Sequence, residues 1–204
     1  MNFKVSAYGD KSVLIELDSG KPIKYLEQIQ KLFPEANVRV GLQSLVITFP
    51  EIADYFERVE SACVDLTPAE LQGMGKEIAI DVDYTGEDLK SASALLGMTA
   101  SELIKVHQET IWEVALIGFA PGFPYLVPLN ETRLDNLPRL ETPRERVPAG
   151  AVAIAAGMSC VYPSAMPGGW QLIGTTTAKL FDATNNKNPS LLSAGDIVRF
   201  RESK

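Results

Sequence analysis

Histidine and cysteine are almost missing from this chain: one histidine, His107, and two cysteines, Cys63 and Cys160, in 204 residues. A single imidazole excludes a multi-histidine metal centre within one chain, and no metal is expected on it. A Ser-His-Asp arrangement would have to use His107. The two cysteines lie far apart, without the spacing of a metal site or a disulfide framework. Basic residues are too few for nucleic acid: the net charge is −7, and no run of Lys and Arg offers a face for phosphates. No apolar run is long enough, and free enough of Pro and Gly, to cross a bilayer. The first residues, Met1-Asn2-Phe3-Lys4-Val5, lack the basic-then-apolar layout of a secretory signal. A cytoplasmic location without membrane or nucleic-acid partners is the expectation.

What is present is an ordinary globular composition, 46% hydrophobic and 22% charged, sufficient for one large domain or two small ones. Residues 4–8 and 12–17 alternate as strands around the Gly9-Asp10 turn. Pro22 suits the first turn of a helix, and Ile23, Leu26, Ile29 and Leu32-Phe33 recur at three- and four-residue steps. Residues 38–40 and 45–49 form a second strand pair. A second helix after Pro50 places Ile52, Phe56, Val59 and Cys63 on one side, with Cys63 read as a core residue. Thr67-Pro68 and Gly73-Met74-Gly75 mark a boundary. The fold class expected is α+β: a small N-terminal α/β domain over residues 1–75 and a β-barrel domain over residues 76–204.

The second domain opens with a strand at 78–83. Two helices follow, over 88–96 and from 100 to about 109; Thr85 with Asp88 and Thr99 with Glu102 have capping-box spacing, and Gly97 stops the first helix. His107 falls in the last turn of the second helix, where the helix dipole favours its protonated form. It reads as a packing histidine or as a proton carrier.

Gly118-Phe119-Ala120-Pro121-Gly122-Phe123-Pro124-Tyr125-Leu126 breaks regular structure after the strand-like run 112–117. Prolines and glycines set its backbone while Phe119, Phe123 and Tyr125 supply aromatic surface. Such a loop is a structural corner or the wall of a site, and aromatics are more often core. The stretch 130–146 mixes acids and arginines as a solvated loop. Within it Arg144, stiffened by Pro143 before and Val147-Pro148 after, fits either an anion clamp or a structural ion pair. From Val147 to Ala178 no charged residue occurs. Short strands are expected at 151–155, 159–162, 170–173 and 177–181, with a last one at 196–201. A surface so neutral is covered by a partner, or the strands are simply buried. Pro167-Gly168-Gly169-Trp170-Gln171 offers close backbone approach and a flat indole, but not the Lys-Ser/Thr of a phosphate loop.

Together these residues resemble a known family, which unites the first subunit of allophanate hydrolase with the B-type component of 5-oxoprolinase. It includes a sporulation-kinase inhibitor and resembles one half of a biotin-dependent carboxyltransferase domain (subdomains C and D). The resemblance rests on His107, Gly118 to Leu126, Pro143-Arg144 with Val147-Pro148-Ala149-Gly150, Tyr162-Pro163, and Pro167 to Gly174. Leu180-Phe181-Asp182 and Gly195-Asp196 with Val198-Arg199-Phe200 complete it. It implies that the barrel is cyclophilin-like. It also implies a role in ATP-dependent opening of 5-oxo-L-proline to L-glutamate with 5-oxoprolinase partners of the A and C types, ATP being bound by this chain or by a partner. The other activity implied is inhibition of a sensor histidine kinase.

A lactam opened through phosphorylation needs cations for phosphate and donors for an oxyanion. The residues expected to serve are Arg144 as anion clamp, His107 as proton carrier, and Tyr125, Gln171 and Thr176 as donors. Phe119, Pro121, Phe123, Pro148, Gly168, Gly169 and Trp170 are expected to touch substrate or partner. Two departures stand out: the family pattern has Gln-Thr at Met158-Ser159, and a basic residue before Thr-Pro or Thr-Ser at Thr175-Thr176-Thr177.

Overall fold

The structure, a computed structural model, describes residues 3–18, 21–51, 55–68 and 75–203. The chain divides into two compact units, Met1–Gly73 and Met74–Lys204. Ile52 and the Gly73-Met74 part of the expected boundary lie outside the described residues.

In the first unit the strands β1 (Phe3–Ala7), β2 (Ser12–Leu17), β3 (Asn37–Val40) and β4 (Ser44–Thr48) form an antiparallel sheet in the order β1-β2-β4-β3. Period-two alternation sends Val13, Ile15 and Leu17 of β2 and Leu45 and Ile47 of β4 to one face. Two helices, α1 (Ile23–Leu32) and α2 (Phe56–Cys63), cover that face with Tyr25, Ile29, Val59 and Cys63. The α1 stripe differs from expectation: Tyr25 is buried while Leu32 is 44% exposed. Ile29 and Tyr25 lie one turn apart on the same side, and Leu32 is rotated away from them. Cys63 sits in this core, its thiol pushed up to about 11 by burial and by the charge of Glu60.

In the second unit, β5 (Glu77–Val82) leads into α3 (Leu89–Leu95) and α4 (Ala100–Glu109). There follow β6 (Trp112–Ile117), β7 (Pro124–Pro128), β8 (Arg144–Val147), β9 (Ala151–Ala155) and β10 (Met158–Val161). The chain ends with β11 (Met166–Gly168), β12 (Gln171–Thr175) and β13 (Ile197–Glu202). Seven of these strands make one sheet in the order β12-β9-β10-β7-β6-β13-β5, and β8 pairs separately with β11. The sheet nearly closes on itself. Just past β5, Asp83 exchanges two backbone hydrogen bonds of 2.8 Å with Thr175 at the end of β12, the opposite edge. Gly86 and Asp88 continue the seam, donating to Ile173 O and Leu172 O. These bonds satisfy part of the β12 edge through the segment that follows β5. The fold is α+β with a barrel-like sheet.

The charge-free stretch has a physical cause visible in β9, all five of whose residues are buried. Val152 and Ile154 face the main barrel core with Trp112, Val161, Ile173 and Phe200. Ala151, Ala153 and Ala155 face a second core with Phe123, Tyr162 and Trp170. A strand buried on both faces has no place for a charge.

Three expectations are revised. Residues 177–181 form no strand, only an isolated bridge from Phe181 to Ser190. The second half of the aromatic stretch is strand β7. Thr85 and Asp88 form no capping box: α3 begins one residue after Asp88, which is itself the N-cap and makes no side-chain cap bond. Its carboxylate is engaged elsewhere. The Thr99–Glu102 box is present, with Thr99 Oγ1 accepting from Glu102 N–H and the Glu102 carboxylate accepting from Thr99 N–H.

Candidate binding cleft

The aromatic loop is built from two consecutive turns. Ala120 N–H donates to Gly118 O (2.8 Å) across Phe119, whose φ of 69° makes this the rare γ-turn of positive φ. Phe123 N–H then donates to Ala120 O (3.0 Å) around Pro121-Gly122, with Gly122 at φ 76°, the residue pattern of a type II turn. Gly122 is needed twice over, because a Cβ there would lie 2.7 Å from Phe181 Cβ. Pro121 thus sets the turn and lies, exposed, outside the lining of the adjacent cleft. A bulky residue at positive φ is strained by about 1–3 kcal/mol, and such strain persists where the surroundings impose it. Here it holds the Phe119 ring 67% exposed, edge-on to the buried Phe123 at 5.4 Å.

Beside this loop lies a cleft of about 320 Å³ whose lining includes Phe119, Phe123, Tyr125, Tyr162 and Trp170. Gly168 and Gly169 form part of its floor with Pro167, and Leu140, Pro143 and Arg139 form its far wall. The rings interlock edge-to-face: Phe123 with Tyr162 at 5.3 Å, and Tyr125 with Trp170 at 6.0 Å. Gly168 allows Tyr162 to lie against the backbone, since a Cβ there would overlap the phenolic oxygen. Burial pushes the Tyr162 hydroxyl well above its ordinary range, so it is a neutral phenol at all working pH values.

The structure thus gathers Phe119, Phe123, Tyr125, Gly168, Gly169 and Trp170 at one place. It does not bring His107, Arg144, Gln171, Thr176, Pro121 or Pro148 to the cleft lining. His107 is fully buried in the barrel core, its ring stacked on Phe200 at 4.4 Å. Ser159 Oγ donates to Ala153 O (3.3 Å) and so accepts from His107 Nε2–H (2.9 Å); Nδ1 then accepts from the Tyr84 hydroxyl (2.8 Å). Each proton in this chain has one direction, which fixes the neutral Nε2–H tautomer. The helix-end expectation of a charged imidazole is reversed, because burial lowers its pKa to about 3. Ser159 thus retains a hydroxyl at its departure position and spends it on His107, while Met158 packs against the aromatic cluster.

Arg144 is held by acids. Its Nε lies 2.7 Å from Glu87, and one terminal nitrogen reaches both oxygens of Asp88 at 2.8 and 2.9 Å. Burial alone would lower its pKa, but the bonds to Asp88 and the charges of Asp88 and Glu87 outweigh this and raise it. Asp88 also accepts from Leu172 N–H (2.7 Å), which ties α3, β8 and β12 together. The ion-pair alternative is the arrangement found. Gln171, 4% exposed, donates from Nε2 to Pro138 O (3.2 Å). Thr176 accepts from Ala178 N–H through Oγ1, and its own N–H donates to Gly150 O. Pro148 O accepts from Ala151 N–H in the turn between β8 and β9.

Sequence reasoning missed Arg139, which lies with its guanidinium carbon 5.7 Å from the Trp170 ring centre. Its neighbours Glu141 and Arg133 made it look like one charge among many in a solvated loop. Only the pairing of 138–140 with the Gly-Gly-Trp-Gln segment distinguishes it.

The family model of the carboxyltransferase domain, subdomain C and D, matches this chain across residues 3–192, through both units, and the chain belongs to that family. Among its relatives is the B-type component of 5-oxoprolinase from Haemophilus influenzae, 38% identical over 182 residues, covering 86% of this chain and 83% of the relative. The protein of the same name from Escherichia coli O157:H7 is 44% identical over 137 residues, 66% of this chain and 62% of its own length. Among solved structures, that of TTHA0988 superposes with a TM-score of 0.78 at 28% identity, over 95% of this chain and 40% of the other. The chain therefore spans less than half of that larger protein.

Proposed function

We propose that this chain is a non-autonomous component of an ATP-dependent 5-oxoprolinase-type complex, opening 5-oxo-L-proline to L-glutamate with partners of the A and C types, in the cytoplasm. The likeness to the B-type component of 5-oxoprolinase over most of both chains supports the reaction class. The observation that carries the division of labour is the composition of the cleft. Among the described residues lining it there is no carboxylate, imidazole or amine, only rings, prolines, glycines, a leucine and Arg139. Such a surface binds and orients a small ring and keeps water from it; it does not take a proton or attack a carbonyl. The groups that activate the lactam and the water then belong to the partners.

ATP does not fit this cleft. A triphosphate needs several cations or a cradle of backbone N–H groups, and the cleft presents one guanidinium. We accordingly assign the phosphorylation of the lactam oxygen to a partner. On this chain the roles left are positional: Asp88 and Arg144 brace the barrel seam, and Gln171 braces the cleft wall.

The test is reconstitution by omission. Glutamate release from 5-oxoproline is expected only when this chain, both partners and ATP are combined. Hydrolysis by this chain alone, or undiminished hydrolysis without it, contradicts the reading. Inhibition of a sensor histidine kinase by the chain, with no lactam turnover by the complex, would establish the regulatory function instead.

A further inference from the structure

We propose that Arg139 is the carboxylate anchor of the aromatic cleft, and that the cleft takes a small cyclic carboxylate whose ring lies among Trp170, Tyr125 and Phe123 while its carboxylate meets the guanidinium. The proposal rests on the 5-oxoprolinase-type reading for the identity of the ring, but not for the class of ligand.

Four observations converge on this residue. Arg139 has no acidic partner among the described residues, in contrast to Arg144, which has two within 3 Å. Its guanidinium lies beside the indole of Trp170, so the indole helps to orient it while the fork of N–H donors remains unspent. Its backbone is pinned on both sides by the segment that floors the cleft: Leu140 N–H donates to Gly169 O (2.7 Å), and Pro138 O accepts from Gln171 Nε2 (3.2 Å). The buried Gln171 is thus a positioning residue for the wall carrying Arg139. Finally, Arg139 is the single charged residue of a lining otherwise made of apolar and aromatic side chains and glycines. One cation on an aromatic wall selects a ligand with one anionic group and a compact uncharged body, and about 320 Å³ holds such a molecule.

Calorimetric titration of the full chain with 5-oxoproline and with pyrrolidin-2-one, the same ring without the carboxylate, tests this. The wild-type chain is expected to bind 5-oxoproline more tightly. Arg139→Gln is expected to weaken that binding about ten- to a hundredfold, as for loss of a charge-assisted hydrogen bond, and to leave pyrrolidin-2-one unchanged. Arg139→Lys should restore part of the loss. Arg139 is exposed, so an unchanged melting temperature is expected of both variants. Equal binding of 5-oxoproline by Arg139→Gln and wild type, or no detectable binding by the wild type of either 5-oxoproline or cyclopentanecarboxylate, overturns the proposal. In the reconstituted complex, Arg139→Gln should raise KM for 5-oxoproline; turnover with an unchanged KM overturns the anchor while leaving the oxoprolinase reading intact. Absence of turnover, together with Arg139-dependent binding of cyclopentanecarboxylate, an uncharged ring with one carboxylate, overturns the lactam substrate and supports the anchor.

Discussion

His107 shows how one residue's environment decides between two chemistries. As the chain's single histidine it invites a catalytic role, but full burial and the directed chain from Tyr84 through Ser159 to Ala153 O hold it neutral. With a pKa near 6.5 unfolded and about 3 folded, it takes up a proton only on unfolding across that interval. The stability it contributes is complete above about pH 6.5 and is lost as pH falls toward 3, amounting to about 2 kcal/mol between pH 7 and pH 5. That window lies above the carboxylate range, so the loss is assignable to the imidazole. Denaturant unfolding at several pH values should show this slope, and the lone imidazole should give the Nε2–H nitrogen pattern by NMR without titrating between pH 7 and 5. A flat stability profile, or an imidazole titrating near pH 6.5, would show that the ring is not held as described. Arg144 makes the complementary point. With Asp88 only 8% exposed, Arg144→Ala leaves a largely buried carboxylate bonded to Leu172 N–H alone, and a loss of about 3 kcal/mol is expected by chemical denaturation. A decrease in activity of that variant therefore reports on the fold unless stability is measured beside it.

At the scale of elements, the loop between β6 and β7 was partly legible. Its two prolines, two glycines and three rings announced a rigid aromatic corner, and the Pro121-Gly122 pair announced the turn. The positive φ of Phe119 was not legible, because nothing local favours a bulky residue there. Gly122→Ala should cost about 2–3 kcal/mol, from the left-handed backbone and the contact with Phe181 together. Phe119→Gly should leave stability unchanged or raise it by up to about 1 kcal/mol while weakening ligand binding, since strain is relieved but the ring is lost. Thermal unfolding of the two variants checks both; a stable Gly122→Ala or an unfolded Phe119→Gly would contradict the loop geometry. The strands showed the same division. Those with clear alternation or long apolar runs were readable, whereas β8 and β11 were hidden by charges and by Met-Pro-Gly. The absence of charge in 147–178 is plain as a pattern but admits two causes: the two cores flanking β9 account for that strand by burial, whereas Pro148, Ala149, Ser164, Ala165, Pro167, Thr175 and Thr177 are uncharged and exposed.

For the whole molecule, the α+β class and the aromatic residues that line the candidate cleft are readable from periodicity and motif, while the contacts of Arg144 and Gln171 are not. Both are engaged by residues distant in sequence, Asp88 and Pro138, which no local pattern reveals. We propose residues 1–75 and 76–204 as the two domains, and residues 76–204 are expected to fold when expressed alone, with cooperative unfolding and the same imidazole signature; a molten product would refute that division. The molecule has two tryptophans, which report on different places: Trp112 lies in the barrel core with its indole N–H on His107 O (3.1 Å), and Trp170 lies in the cleft. Titrating the nitrogen-15-labelled chain with 5-oxoproline and following the two indole N–H signals is the most direct measurement of whether the cleft is the ligand site. A saturable shift of the Trp170 signal with Trp112 unmoved is the predicted result. A Trp170 signal that stays in place at saturating ligand, with shifts clustered elsewhere on the chain, would contradict it.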